Sequence, residues 1–179
     1  MKYQDILNFW FNADTQPFWF QKSTDFDQKL HQRFADILNQ AKQAELWTWR
    51  ENAEGRLAEI IVLDQFSRNL YRDQAAAFAQ DALALALAQE TIQLGLDLQL
   101  QPEQRSFLYM PFMHSESKVI HEEALKLFEA LGNPINLDFE KKHKVIIDRF
   151  GRYPHRNEVL GRESTPEEIE FLKQPNSRF

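Results

Sequence analysis

Wherever apolar residues cluster in this chain, they recur at three- and four-residue spacing, a period that suits the α-helix and not the strand. Phe26, Leu30, Phe34, Ile37, Leu38 and Ala41 fall on one helical face. Ile6, Leu7, Trp10 and Phe11 form a shorter stripe, and Ile120, Ala124, Leu127, Phe128 and Leu131 a later one. No segment reads as a convincing strand. The expected fold class is therefore all-α: stacked antiparallel helix pairs, about eight helices with short connections, in a single domain over residues 1–179.

Capping chemistry divides the helices. Thr24 is expected to cap the long helix, with Asp25 and Asp27 in its first turn. A helix over about 53–70 is apolar on most sides, which predicts burial. Asp73 is expected to cap an alanine-rich helix that runs to Leu94 and stops at Gly95. An extended link follows, and then Pro102 at a first-turn position. Pro111 lacks the amide a helix interior needs, so a kink or break is expected there. Ser117 is expected to cap the next helix, which Gly132-Asn133-Pro134 ends. A helix over about 137–150 is stopped by Gly151. Thr165, Pro166 and Glu168 make a capping box for the last helix, which is expected to end near Lys173. The aromatic run Pro17-Phe18-Trp19-Phe20 reads as a plug on the core.

Two runs carry the polar chemistry. Residues 145–162 read VIIDRFGRYPHRNEVLGR, and residues 61–72 read IVLDQFSRNLYR. Both contain three apolar residues, Asp, a variable residue, Phe, a small residue and Arg, with an offset of 84 between Asp64 and Asp148. Asp64 and Arg68 continue an apolar stripe and stand four residues apart. Asp64 is accordingly expected to be buried and bonded to Arg68 or to an arginine of the second run. Between Lys141 and Arg162 there are seven Lys or Arg and two Asp or Glu, in a chain of net charge −6. Arginine forks bind carboxylate and phosphate with two parallel bonds. The same forks could instead staple helices through Asp64, Glu116, Asp148 and Glu158. His143 shares a stripe with Phe139, Ile146 and Phe150, which predicts a buried, hydrogen-bonded ring.

Composition excludes several classes. The acidic balance disfavours a nucleic-acid binder, including an RNA-binding role for the basic stretch. With no cysteine there is no thiolate ligand, disulfide or cysteine nucleophile. His114, Glu116, His143 and His155 lack any familiar metal spacing, so no metal or cofactor is expected. No apolar run is long enough to span a bilayer, and the N-terminal residues lack signal-peptide character. The expected setting is cytoplasmic, with no membrane partner.

The segments ILNFWF, LDQFSRNLYR, AFAQD, FLYMPFMHSE and IIDRFGRYPHRNEVLGRESTPEE together resemble the bacterial family of unknown function DUF924, over about Ile6 to Leu172. The resemblance implies a tetratricopeptide-like α-α superhelix and supplies no established activity. It also implies that Asp64, Arg68, Asn69, His114, Glu116, His143, Arg149, Arg152, His155, Arg156 and Asn157 stand at characteristic positions.

The functional expectation is a polar pocket for a small anionic or carboxylate-bearing ligand. Arg149, Arg152 and Arg156 would hold the anion and Asn69 and Asn157 orient it, beside Asp64, Arg68, Glu116 and His143. His114 or His155 would move a proton. The Asp64–Asn69 turn, the His114–Glu116 corner and the Arg149–Asn157 segment are expected to line one pocket. The alternative is a scaffold whose helical groove takes a peptide or protein segment.

Overall fold

A computed structural model describes residues 1–178. Among the described residues there is no strand. The described residues form eight helices. They are α1 Tyr3–Trp10, α2 Thr24–Lys42, α3, α4 Asp81–Gln93, α5 Pro102–Met113, α6 Lys118–Leu131, α7 Pro134–Phe150 and α8 Pro166–Phe171. Helix α3 is continuous but irregular: an α-helical part Ala53–Ile61, a π-helical turn Val62–Phe66, and a final α-helical turn Ser67–Leu70. Short 3₁₀ turns link several helices.

The chain divides into two compact units. The first comprises Met1–Arg72 and Ala76–Pro111, and the second comprises Asp73–Ala75 and the residues from Phe112 onward. In the first unit, α2 and α3 run antiparallel, because the Phe34 ring meets that of Phe66 while Asp27 meets Arg72. Helices α3 and α4 are also antiparallel, since Arg56 pairs with Glu90 and Arg68 with Asp81. The core centres on Trp10, Phe34, Phe66 and Phe107, all at most 2 % exposed. Burying aromatic surface of that size is the main driving force for such a unit. The 17–20 run does plug this core: Phe18 stacks on Phe26, and Trp19 packs on Phe107 while its indole N–H donates to the Trp10 carbonyl. Phe20, at the end of the run, is 72 % exposed.

In the second unit, α6 and α7 form an antiparallel hairpin joined at Gly132-Asn133. His121 faces Glu140, Glu122 faces Lys144, and the Lys118 ammonium donates to the Asp148 carbonyl. Gly132 has φ +75°, a left-handed stop that any side chain would strain. Asn133 then caps α7 from Pro134, three residues earlier than expected, by accepting from the amides of Ile135 and Asn136. Gly151, at φ +69°, ends α7 in the same way as Gly132 ends α6.

Several boundaries differ from expectation for identifiable reasons. Ser23, not Thr24, caps α2, its hydroxyl accepting from the Phe26 amide. Asp73 does not cap α4: its φ is +62°, a 3₁₀ turn Ala75–Ala77 comes next, and the helix proper begins at Asp81 with Gln80 before it. The expected extended link contains a 3₁₀ turn, Asp97–Gln99. Pro111 does not break α5, which continues to Met113. Lying in the last turn, it removes one backbone bond there and leaves the rest of the ladder whole. The closing helix has the expected capping box of Thr165 and Glu168 but ends at Phe171, short of Lys173.

Candidate functional site

The residues singled out from sequence fall into two groups. Asp64, Arg68 and Asn69 belong to the first unit. His114, Glu116, His143, Arg149, Arg152, His155, Arg156 and Asn157 belong to the second.

In the first unit Asp64 sits in the π turn and is 1 % exposed. Its carboxylate accepts from the Gln65 side-chain amide at 2.6 Å and pairs with Arg68 at 3.0 Å. Arg68 also donates a bidentate fork to Asp81, at 2.8 and 2.9 Å. Asn69 and Arg72 both donate to Asp27. This network ties α3 to α2 and α4. A second buried pair lies nearer the start of α3, where Arg50 donates two bonds to Glu59, at 2.7 and 2.6 Å.

The second unit is organised around Tyr153, which is fully buried. Its hydroxyl donates to the Met113 carbonyl at 2.5 Å, because a carbonyl can only accept. Its amide donates to Glu116 at 2.7 Å. Three imidazoles surround the phenol. The ring centroids of His143 and His155 lie 5.7 and 5.6 Å from that of Tyr153, and His121 Nε2 is 3.2 Å from the hydroxyl. The Arg156 guanidinium stands 4.5 Å above the Tyr153 ring, a cation–π contact, and donates to the His114 carbonyl at 3.0 Å. Arg156 is 6 % exposed, whereas His114 and His155 are half-buried.

The remaining arginines hold acids. Arg162 forks onto Glu116 at 2.6 and 2.9 Å. Arg152 forks onto Glu168, both bonds at 2.7 Å. Arg149 reaches Glu167 at 2.8 Å and lies over the rings of Phe150 and Phe171. Asn157, 1 % exposed, donates to Ser164 and Glu168 and accepts from Arg162. Of the acids expected to staple these arginines in the second run, Glu116 does so. Glu167 and Glu168, brought close by the start of α8, serve beside it.

These contacts set the protonation states. Burial pushes the His143 imidazole down to about 3, against the bond its Nδ1–H donates to the Phe139 carbonyl, and the nearby His114 and His121 rings and the Arg156 guanidinium oppose a positive charge on it as well. His143 is thus a neutral ring, 6 % exposed, as its stripe predicts. Phe139 on that stripe is 42 % exposed. The Arg152 fork holds the Glu168 carboxyl down at about 2 despite its burial, helped by the Thr165 amide. For Glu116 burial works upward, but the bonds from Arg162 and the Tyr153 amide and the charge of Arg156 outweigh it, and its pKa is lowered.

Two participants escaped the sequence reading. His121 and Glu140 are both fully buried and face each other across the α6–α7 hairpin, with Nδ1 2.7 Å from Oε1. The sequence does hold a signal for them. His121 lies on a helical stripe with Ala124 and Phe128, and Glu140 on one with His143 and Ile147. A titratable residue on each of two facing apolar stripes must find a partner.

Among the described residues no group of three or more His, Asp or Glu side chains is arranged to hold a metal ion. Nor, among the described residues, is any helix long and apolar enough to cross a membrane.

A two-unit helical protein with a buried tyrosine–imidazole–guanidinium cluster defines a class by architecture and not by reaction. Within it the chain belongs to the DUF924 family, described as bacterial proteins of unknown function, whose model matches residues 6–176. It is similar to a protein of unknown function from Agrobacterium tumefaciens whose structure has been solved. The two are 40 % identical with a TM-score of 0.90, over 96 % of each chain. No curated protein matches the chain.

Proposed function

We propose that the second unit binds a small anion, a phosphate or a short carboxylate, where His114 and His155 flank Arg156, and that one of these histidines gives or takes a proton from it. The supporting observation is the placement of Arg156. Its guanidinium is taken almost wholly out of water and fixed by the Tyr153 ring face and the His114 carbonyl. Desolvating a cation costs several kcal/mol, so a fold that fixes one beside three imidazoles has reason to use its charge. Arg149, bonded to Glu167, and Arg152, whose fork serves Glu168, add positive potential more than contact.

The test is a thermal-shift titration at constant ionic strength with phosphate, sulfate and small carboxylates. An anion at a hundred times its Kd adds about 2.7 kcal/mol to native stability, which is a readable rise in Tm. The expected result is a saturable rise for one anion class that disappears in Arg156→Lys, which keeps the charge but loses the fork. A response equal for all salts, or one unchanged in Arg156→Lys, refutes the reading. Saturable binding of peptides with no anion response would favour a partner-binding groove.

A further inference from the structure

The His121–Glu140 pair holds a proton whose position can be worked out from its neighbours. His121 Nε2 lies 2.8 Å from the Ser115 carbonyl oxygen, which only accepts. Nε2 therefore carries a hydrogen, directed at Ser115 and, more distantly, at the Tyr153 hydroxyl oxygen. One further proton must bridge the 2.7 Å between Nδ1 and Glu140 Oε1. It resides on the carboxyl, giving two neutral groups, or on the ring, giving an ion pair.

Three observations bear on the choice. Both side chains are fully buried, where an ion pair bears the desolvation of two charges. Glu140 Oε2 has no hydrogen-bond partner among the described residues. That is tolerable for the carbonyl oxygen of an acid and costly for a carboxylate, which needs its lone pairs satisfied. The surroundings are mixed: Lys144 and Asp148 follow Glu140 on α7, and His114, His143 and Arg156 carry charge or imidazole near the ring. Burial outweighs the pull of His121 and Lys144 and raises the Glu140 pKa.

We infer that the bridging proton rests on Glu140 while the neighbouring site is empty and crosses to His121 when an anion binds beside Arg156. The step breaks the Oε1–H bond and forms Nδ1–H. No electrons transfer and the pair stays neutral overall, but positive charge appears on the ring that touches Tyr153, and the negative charge is left on the far side. An anion stabilises that polarised form and is held more tightly by it, so its affinity gains from a proton it never touches. The inference rests on the anion reading above. His121 is a positioning residue here, since its Nε2–H also pins Ser115, beside His114.

The test is nitrogen NMR of the full chain with ¹⁵N-labelled histidine, titrated with inorganic phosphate and then succinate. Without anion, His121 should show a protonated Nε2 and a bare Nδ1. At saturation Nδ1 should become protonated. Glu140→Gln offers an amide N–H to Nδ1 but has no proton to give, so it should keep the resting spectrum and weaken anion binding about tenfold. A protonated Nδ1 in the anion-free protein overturns the resting assignment. Anion-dependent shifts at His155 with an unmoved His121 Nδ1, or undiminished affinity in Glu140→Gln, overturn the transfer while leaving the anion reading standing. If neither anion moves any histidine resonance, the anion reading and the transfer fail together.

Discussion

Gly55 offers a test in which local propensity and tertiary packing predict opposite signs. It lies in the first turns of α3, and on propensity alone Gly55→Ala should stabilise the protein by about 1 kcal/mol. A Cβ at this position would sit 1.9 Å from the Trp49 carbonyl oxygen and 2.8 Å from its carbon. The helix and the turn Trp47–Glu51 would have to part by about 1.1 Å to bring that oxygen to 3.0 Å, the closest that real Cβ contacts come. Neither side yields easily. The Gly55 amide donates to the Asn52 side chain at 2.8 Å as the helix cap, and Arg50 in the turn is clamped to Glu59. Overpacking costs about 1–3 kcal/mol and loss of the cap about 1 kcal/mol. After the propensity gain, the expected net loss is about 1–3 kcal/mol. Urea unfolding monitored by tryptophan fluorescence would read this as a lower midpoint at unchanged slope. A Gly55→Ala protein as stable as the wild type, or more so, would show that the close approach of Trp49 does not constrain the helix.

Asp64→Ala should cost about 1–3 kcal/mol, because it removes the acceptor of the buried Gln65 amide while Arg68 keeps its fork to Asp81; an unshifted melting curve would refute this. For His143, the folded-state pKa of about 3 lies below its unfolded value of about 6.5, so the native state favours the neutral ring. Its contribution to stability is therefore complete above pH 6.5 and declines as pH falls toward 3, by up to about 1.4 kcal/mol per pH unit. An NMR titration should leave this ring neutral at pH 5, and a midpoint near 6.5 would contradict its burial.

Much of the fold was legible because helix ends are local chemistry. Thr165, Pro166 and Glu168 carry their instructions within four residues, and Gly132 and Gly151 act through one dihedral each. The misreadings came where a distant group decides. Asp73 has a good capping side chain, but the helix begins at Asp81, whose carboxylate is held by Arg68 thirteen residues back. In α6 the stripe's Ala124 and Phe128 are fully buried, but its Ile120 and Leu127 are only partly so, and His121 takes the buried place beside them. The core face is turned by one residue toward a histidine, because Glu140 waits opposite it. That pairing lies in the meeting of α6 and α7 and not in either helix alone. The arginines were visible as a cluster, but which acids they hold depended on α8 delivering Glu167 and Glu168.

The π turn at Val62–Phe66 acts as a phase shifter. A π turn takes up roughly one more residue than an α turn, so the remainder of α3 is set back by about 100° relative to an unbroken helix. In an unbroken helix Arg68 would share the stripe of Ile61 and be driven into the core. Set back, it remains 19 % exposed and can reach Asp64 and Asp81 together. The two ends of α3 also address different neighbours: residues 53–61 pack on α1 and the Trp47–Glu51 turn, whereas residues 62–70 pack on α2, and α4 lies along both parts. One extra residue in one turn thus lets a single helix keep two appointments that a regular helix of the same sequence length would have to choose between.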